Sequence, residues 1–250
     1  MANWDAFASV TVIVCGLLLF LAYQTTVASR VEPPLPGERV FAPDSHRRAE
    51  PQGYSPAMLL VNVALTQGLF LGILVGAAVL SGVPRAALGV GPAGLGTIPL
   101  AVGGVLGVVL YVANRLGSSL SERLGLSGDD DDLRSQLAPS SARGWAVLML
   151  GVLPTVAVFE EFLFRAALVG ALSAGYGISP WLLAVASSLA FAVGHGMQGP
   201  AGIVVTGAVG FVLAAVFIHT GSLLAVVVAH YLVNALEFVI HEGLGVEWLA

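Results

Sequence analysis

Residues 166–236 read AALVGALSAGYGISPWLLAVASSLAFAVGHGMQGPAGIVVTGAVGFVLAAVFIHTGSLLAVVVAHYLVNAL, 71 residues without a single Asp, Glu, Lys or Arg. About 20 apolar residues carry a helix across a bilayer, so this block is long enough for several crossings. Its punctuation is sparse, chiefly Gly199-Pro200 and Thr220-Gly221-Ser222. Turns that short make successive helices adjacent and antiparallel.

Working outward, residues 6–29, 51–84 and 86–114 are also free of charge. The whole chain of 250 residues is 57% apolar and 10% charged, with a mean hydropathy of +0.90. Soluble domains usually carry about 25% charge, so the composition selects a membrane protein and excludes collagen, disulfide scaffolds and disordered tails. The net charge of −5, with Arg but no Lys, offers no basic stripe for a nucleic-acid partner. Cys15, the single cysteine, lies in the first apolar segment, which removes any intrachain disulfide and reads as a packing residue. Asp5 stands where a signal peptide carries positive charge, so the first helix is expected to stay uncleaved.

Apolar length and flanking polar residues place spans near 5–28, 57–83, 97–114, 145–172, 180–197, 201–219 and 222–240, an all-α polytopic bundle of about seven (six to eight) transmembrane helices. The 29–56 loop holds Arg30, Arg39, Arg47 and Arg48, and the 115–144 loop holds Arg115, Arg123, Arg134 and Arg143, while Arg85 stands alone between them. The positive-inside rule puts both Arg-rich loops and the C-terminus in the cytoplasm and the N-terminus outside, in a multi-pass cell-membrane protein. Trp4, Trp145, Trp181 and Trp248 fall at or just beyond span ends, the place for a ring with one wet edge. The Pro33 to Pro56 segment reads as an extended linker, and Asp129 to Asp132 as a solvated loop without calcium-site spacing. Gly68, Gly72 and Gly76, and Gly103 with Gly107, read as small faces for close helix approach.

Three polar groups interrupt the apolar spans: Glu160, Glu161 and Arg165; His195; and His230 with Asn234. An ionisable side chain at bilayer depth costs about 2.5–3.5 kcal/mol on insertion scales and persists where function or pairing needs it. With a rise of about 1.5 Å per residue, Glu160, His195 and the His230–Asn234 pair lie roughly 12–22 Å below the outer helix ends, at one shared level. Glu161 and Arg165 are four apart and can pair on one helix face, while Glu160 turns about 100° away and is available for another partner. His230 and Asn234, with the same spacing, present an imidazole and an amide to a neighbouring helix. A carboxylate and an imidazole sharing a water make a general base, and His beside Asn supplies donors for an oxyanion, an inventory that suits peptide hydrolysis inside the membrane. Each group alone also has a structural reading, as a buried ion pair or as interhelical hydrogen bonding.

Other protease chemistries are missing their residues. His241-Glu242 is followed by Gly245 where an HExxH zinc site needs its second His. No Tyr-Asp or GxGD pair supports an aspartyl site, and Gly117-Ser118-Ser119 lies outside the spans proposed above.

The residues of 145–237 resemble the CPBP family of intramembrane proteases, which includes the CAAX prenyl endopeptidase and relatives named for bacteriocin processing or immunity. Its EExxxR, FxxxH and HxxxN motifs stand here as Glu160-Glu161-Phe162-Leu163-Phe164-Arg165, Phe191-Ala192-Val193-Gly194-His195 and His230-Tyr231-Leu232-Val233-Asn234. The resemblance implies that Glu160 and His195 activate water, that His230 and Asn234 stabilise the oxyanion, and that Glu161 and Arg165 hold the site together. It implies a membrane-embedded or lipid-anchored protein substrate, and residues 1–144 as accessory spans beside a catalytic core at 145–250. Both a metal-free glutamate mechanism and a zinc mechanism have been argued for the family. Glu160, His195 and His230 are the zinc ligands if a metal is bound, since three protein ligands suffice at a catalytic site. Ala166 departs from the Gly that many relatives carry there.

Glu237 shares the face of His230 and Asn234 near the cytoplasmic end, while His46, His219 and His241 read as hydrated bystanders. Two other functions use the same residues: a non-catalytic immunity or scaffold protein of this fold, and a proton-coupled transporter with a Glu–His relay. No internal repeat of the transporter kind is visible.

Overall fold

The computed structural model describes residues 1–29, 56–123 and 137–246. The proline-rich segment with Arg30, Arg39, His46, Arg47 and Arg48, the Asp129 to Asp132 run with Arg134, and Trp248 lie outside the described residues. Within those residues no strand forms, and the chain makes seven helices: α1 (Trp4–Ser29), α2 (Pro56–Leu80), α3 (Thr97–Arg123), α4 (Ala142–Tyr176), α5 (Pro180–Gly194), α6 (Gly199–Thr220) and α7 (Leu223–Gly243). Six are long and apolar enough to cross a membrane, and α5, with 15 residues, is the short one. The protein is a multi-pass membrane protein with lipid-facing apolar helices.

Helix α4 is the axis of the bundle. Of its most apolar stretch 56% is buried, against 17% in α1 and 11% in α2, whose remaining faces are left to lipid. Its inward residues alternate aromatic and small, with Phe159, Leu163, Phe164, Ala166, Ala167 and Ala171 all buried. Small side chains let neighbouring helices close in where no hydrophobic driving force separates helix from lipid. Two stretches, Leu148–Val152 and Phe162–Ala171, widen into π-type turns. Such turns are rare and often occur at functional sites, and the second begins directly after Glu160-Glu161.

Helices α3 and α7 pack through glycine. A Cβ at Gly103 would collide with the Ala225 carbonyl and Val228, and one at Gly107 would come 2.7 Å from Leu232 Cβ and 3.0 Å from the Ala229 oxygen. The Gly68, Gly72 and Gly76 stripe behaves differently from its sequence reading. A Cβ at Gly72 or Gly76 would meet nothing within 4 Å, and one at Gly68 only Thr155 at 3.8 Å, so these glycines mark a loosely covered face. Arg115 and Arg123 also depart from expectation: α3 runs on to Arg123 instead of ending near 114, and both residues are helical. Nothing stops the helix earlier, because Asn114-Arg115-Leu116 carries neither Pro nor a capping turn.

The start of α7 is tied down by the 83–96 connection. The Ser222 hydroxyl accepts from the Ala225 N–H (3.1 Å) and donates to the Gly94 carbonyl (2.6 Å), and Leu223 N–H donates to the Gly89 carbonyl (3.0 Å). A Ser that caps its own helix while bonding a second segment satisfies groups that a bilayer would leave unpaired. The aromatic residues sort to two levels. Trp4 packs on Gly175, Tyr176 donates to Asp5 (2.7 Å), and Trp181 lies edge-on to His219 (5.5 Å), all at one end of the bundle. Trp145 lies against Gly243 at the opposite end.

Candidate active site

The EExxxR motif lies on α4 where it is most deeply buried. Glu161 is fully buried and Arg165 is 1% exposed. Arg165 Nη1 donates to Glu161 Oε1 at 2.8 Å, Nη2 donates to the Gly210 carbonyl at 2.9 Å, and the guanidinium lies 4.7 Å over the Phe191 ring. The close approach to α6 requires glycine there: a Cβ at Gly210 would stand 3.0 Å from Phe191 and 3.3 Å from Arg165 Nη2. The i,i+4 pairing expected from spacing is therefore present, and its cation is also bound to α6 and stacked on α5.

The same Glu161 oxygen holds α7. His230 Nδ1 donates to Glu161 Oε1 at 2.7 Å, which directs its Nε2 toward Glu160, whose Oε2 is 3.7 Å away. That separation is beyond hydrogen-bond range. Glu160 Oε2 is buried and has no hydrogen-bond partner among the described residues, whereas Oε1 accepts from Gln67 Nε2 of α2 at 3.4 Å. The two adjacent carboxylates differ in their partners: Glu161 Oε1 is fixed by a cation and an imidazole, whereas Glu160 Oε1 is held by Gln67 alone, and each keeps its Oε2 buried without a hydrogen-bond partner among the described residues.

His195 is the C-cap of α5, with φ −104° and ψ 28°, and not an interior helical residue as the 180–197 span suggests. Gly194 and Gly196 flank it, a short 3-10 turn follows, and Gly199 at φ +72° turns the chain into α6. Its Nδ1 donates to the Phe191 carbonyl at 2.8 Å, because a carbonyl can only accept, and this leaves Nε2 with the lone pair of the neutral ring. The Phe191 ring touches both imidazoles, 4.5 Å from His195 and 6.1 Å from His230 between ring centres. The structure thus brings Glu160, Glu161, Arg165 and His230 into one polar network, with His195 joined to it across Phe191. Among the described residues His195 makes no hydrogen bond to Glu160 or His230. Asn234, one turn beyond His230, is half-buried.

The zinc alternative finds two donors facing each other, Glu160 and His230, but among the described residues no three His, Cys, Asp or Glu side chains group closely enough to hold one ion. The arrangement does not fit a three-ligand site.

Gln67 is the site residue that sequence reasoning missed. Its signal was present, a Gln within the charge-free 51–84 segment, but a neutral amide costs less at bilayer depth than a charge and its partner lies 93 positions away. Glu237 belongs to another cluster: it accepts from Asn114 (2.9 Å) and pairs with Arg115 (3.9 Å) and His241 (3.5 Å). His241 is accordingly 6% exposed and paired with Glu237, contrary to its reading as a hydrated bystander. His219 lies against Trp181.

A helical membrane protein with two adjacent glutamates, a histidine and an arginine buried among its central helices, and a second histidine half-buried beside them, is the class that fold and site define. Residues 142–236 match the family model for type II CAAX prenyl endopeptidase Rce1-like proteins, within the same CPBP family that the motifs resemble. That stretch, and with it the whole EExxxR, FxxxH and HxxxN set, carries the pattern of a protease family. No curated protein and no solved structure gave a match.

Proposed function

We propose that this protein is an intramembrane endopeptidase that hydrolyses a peptide bond of a membrane-embedded or lipid-anchored protein through water activated by Glu160. The observation that carries this reading is the buried, unpartnered Oε2 of Glu160 facing His230 Nε2. Buried polar atoms in native proteins are nearly always satisfied, so an orphan carboxylate oxygen beside an imidazole marks where a reacting molecule binds.

In this mechanism Glu160 Oε2 takes a proton from water as its oxygen attacks the scissile carbonyl carbon, with the His195 Nε2 lone pair orienting that water. Protonated His230 donates Nδ1–H to Glu161 and Nε2–H to the developing oxyanion, joined by the Asn234 amide. Collapse of the tetrahedral intermediate breaks the C–N bond, and Glu160 returns the proton to the departing amine. Glu161 with Arg165 sets the orientation of the His230 ring and offsets its charge. Preorganised donors of this kind are commonly the largest single contribution to catalysis.

The same reading puts the N-terminus outside and the site within reach of the cytoplasm, supported by the Arg-rich loops of the sequence. The test is N-terminal profiling of membrane proteins after incubation of host membranes with purified protein. New N-termini within or beside apolar segments are expected with the unaltered protein and not with Glu160→Ala or His195→Ala. Equal cleavage by either variant would remove that residue from the mechanism, and no new termini with any form would remove the protease reading.

A further inference from the structure

We propose that Gln67, on α2 and outside the family-matched segment, is a positioning residue for Glu160. This rests on Glu160 being the base. Gln67 Nε2 is 3.4 Å from Glu160 Oε1, the only polar contact within hydrogen-bond distance that this carboxylate makes among the described residues. The contact joins α2 to α4 at the point where a carboxylate has two chemically equivalent oxygens and only one faces His230. With Oε1 engaged by an amide N–H, proton abstraction is confined to Oε2.

The orientation of the amide follows from donor chemistry, since a carboxylate only accepts and the side of Gln67 facing it must be its NH2 group. The other end of the amide, Oε1, is then a buried acceptor without a hydrogen-bond partner. Glu160 Oε2 and Gln67 Oε1 are thus two unpartnered acceptors on the two side chains that this hydrogen bond joins. Gln67 accordingly fixes the base, with Oε2 left toward His230 for the water that His195 orients. The contribution of α2 to the site is therefore chemical as well as structural, although α2 carries no motif residue.

The experiment compares Gln67→Met and Gln67→Leu, both of similar volume and without an amide, with the unaltered protein in liposomes. Infrared difference spectra, with the Glu160 band assigned by its loss in Glu160→Gln, read the contact directly and do not depend on protease activity. The band is expected to shift in both variants. Kinetics on a peptide substrate identified by terminal profiling are expected to show kcat lowered about 10-fold with KM unchanged, the size of one hydrogen bond to a charged group. An unmoved Glu160 band, or unchanged kcat in both variants, overturns the assignment. A shifted band in a protein that cleaves nothing supports the Gln67 contact and fails only the hydrolytic reading. Two variants guard against one failing to fold.

Discussion

Glu160 and Glu161 are neighbours in sequence, and what separates them is their partners. Glu161 Oε1 receives both Arg165 and His230, so removing its charge leaves a guanidinium buried at 1% exposure without its counter-ion. Breaking a buried pair by deleting one member costs about 3–5 kcal/mol. Glu161→Ala is expected to lower thermal stability in detergent by an amount of that order, seen as a fall of several degrees in Tm. Glu160→Gln removes a charge whose Oε2 has no hydrogen-bond partner, and its stability is expected to change by less than about 1 kcal/mol while cleavage is lost. Equal Tm losses in the two variants would show that both carboxylates are structural. Sequence spacing made the Glu161–Arg165 pair legible, because i and i+4 meet on any helix. It could not reveal that His230 joins the same oxygen, since that contact spans 69 positions and depends on how α7 docks.

At the scale of helices, close approach separates glycines that look alike in sequence. Gly103 and Gly107 lie where α3 meets the backbone of α7, whereas Gly72 faces open space. Gly103→Val is expected to destabilise by about 1–3 kcal/mol or more, because overpacking a tight interface forces backbone shifts. Gly72→Val is expected to stay within about 0.5 kcal/mol, as for substitutions away from packed features. Thermal aggregation in detergent compares the two, and a reversed order would show that α3 and α7 do not meet along this face. Gly210→Ala tests the site through its frame. It pushes on Phe191 and Arg165 Nη2 together, and is expected to lower activity about 10-fold or more with KM little changed, the cost of a displaced catalytic group. The small-xxx-small pattern was visible in both stretches, and only the partner helix distinguished them.

For the whole molecule, the aromatic residues sort the ends of the helices into two levels, and the topology proposed above assigns a side to each. In a Cys15→Ser background, cysteine placed at Ser179, between α4 and α5, is expected to react with impermeant maleimide from outside intact cells. Cysteine at Ser141, before α4, is expected to react only after the membrane is opened. The opposite labelling pattern would invert the topology and put the site's access on the other face. The cluster of Asn114, Arg115, Glu237 and His241 joins the C-terminal parts of α3 and α7, so the helix that carries His230 is held at both ends, by this cluster and by Ser222 with Gly94.

The sequence by itself determined that the chain crosses a membrane several times, roughly where each helix runs, and which side chains are too polar to be there without a reason. Those conclusions follow from local physics: apolar length against bilayer thickness, helical spacing, and the cost of an unsatisfied charge in hydrocarbon. Tertiary structure alone decided which of two adjacent glutamates is anchored by Arg165 and His230, that His230 Nε2 faces Glu160, and that a glutamine on α2 reaches Glu160. These are contacts between helices far apart along the chain, and their geometry is set by docking angles and close-packed glycines that no local pattern encodes.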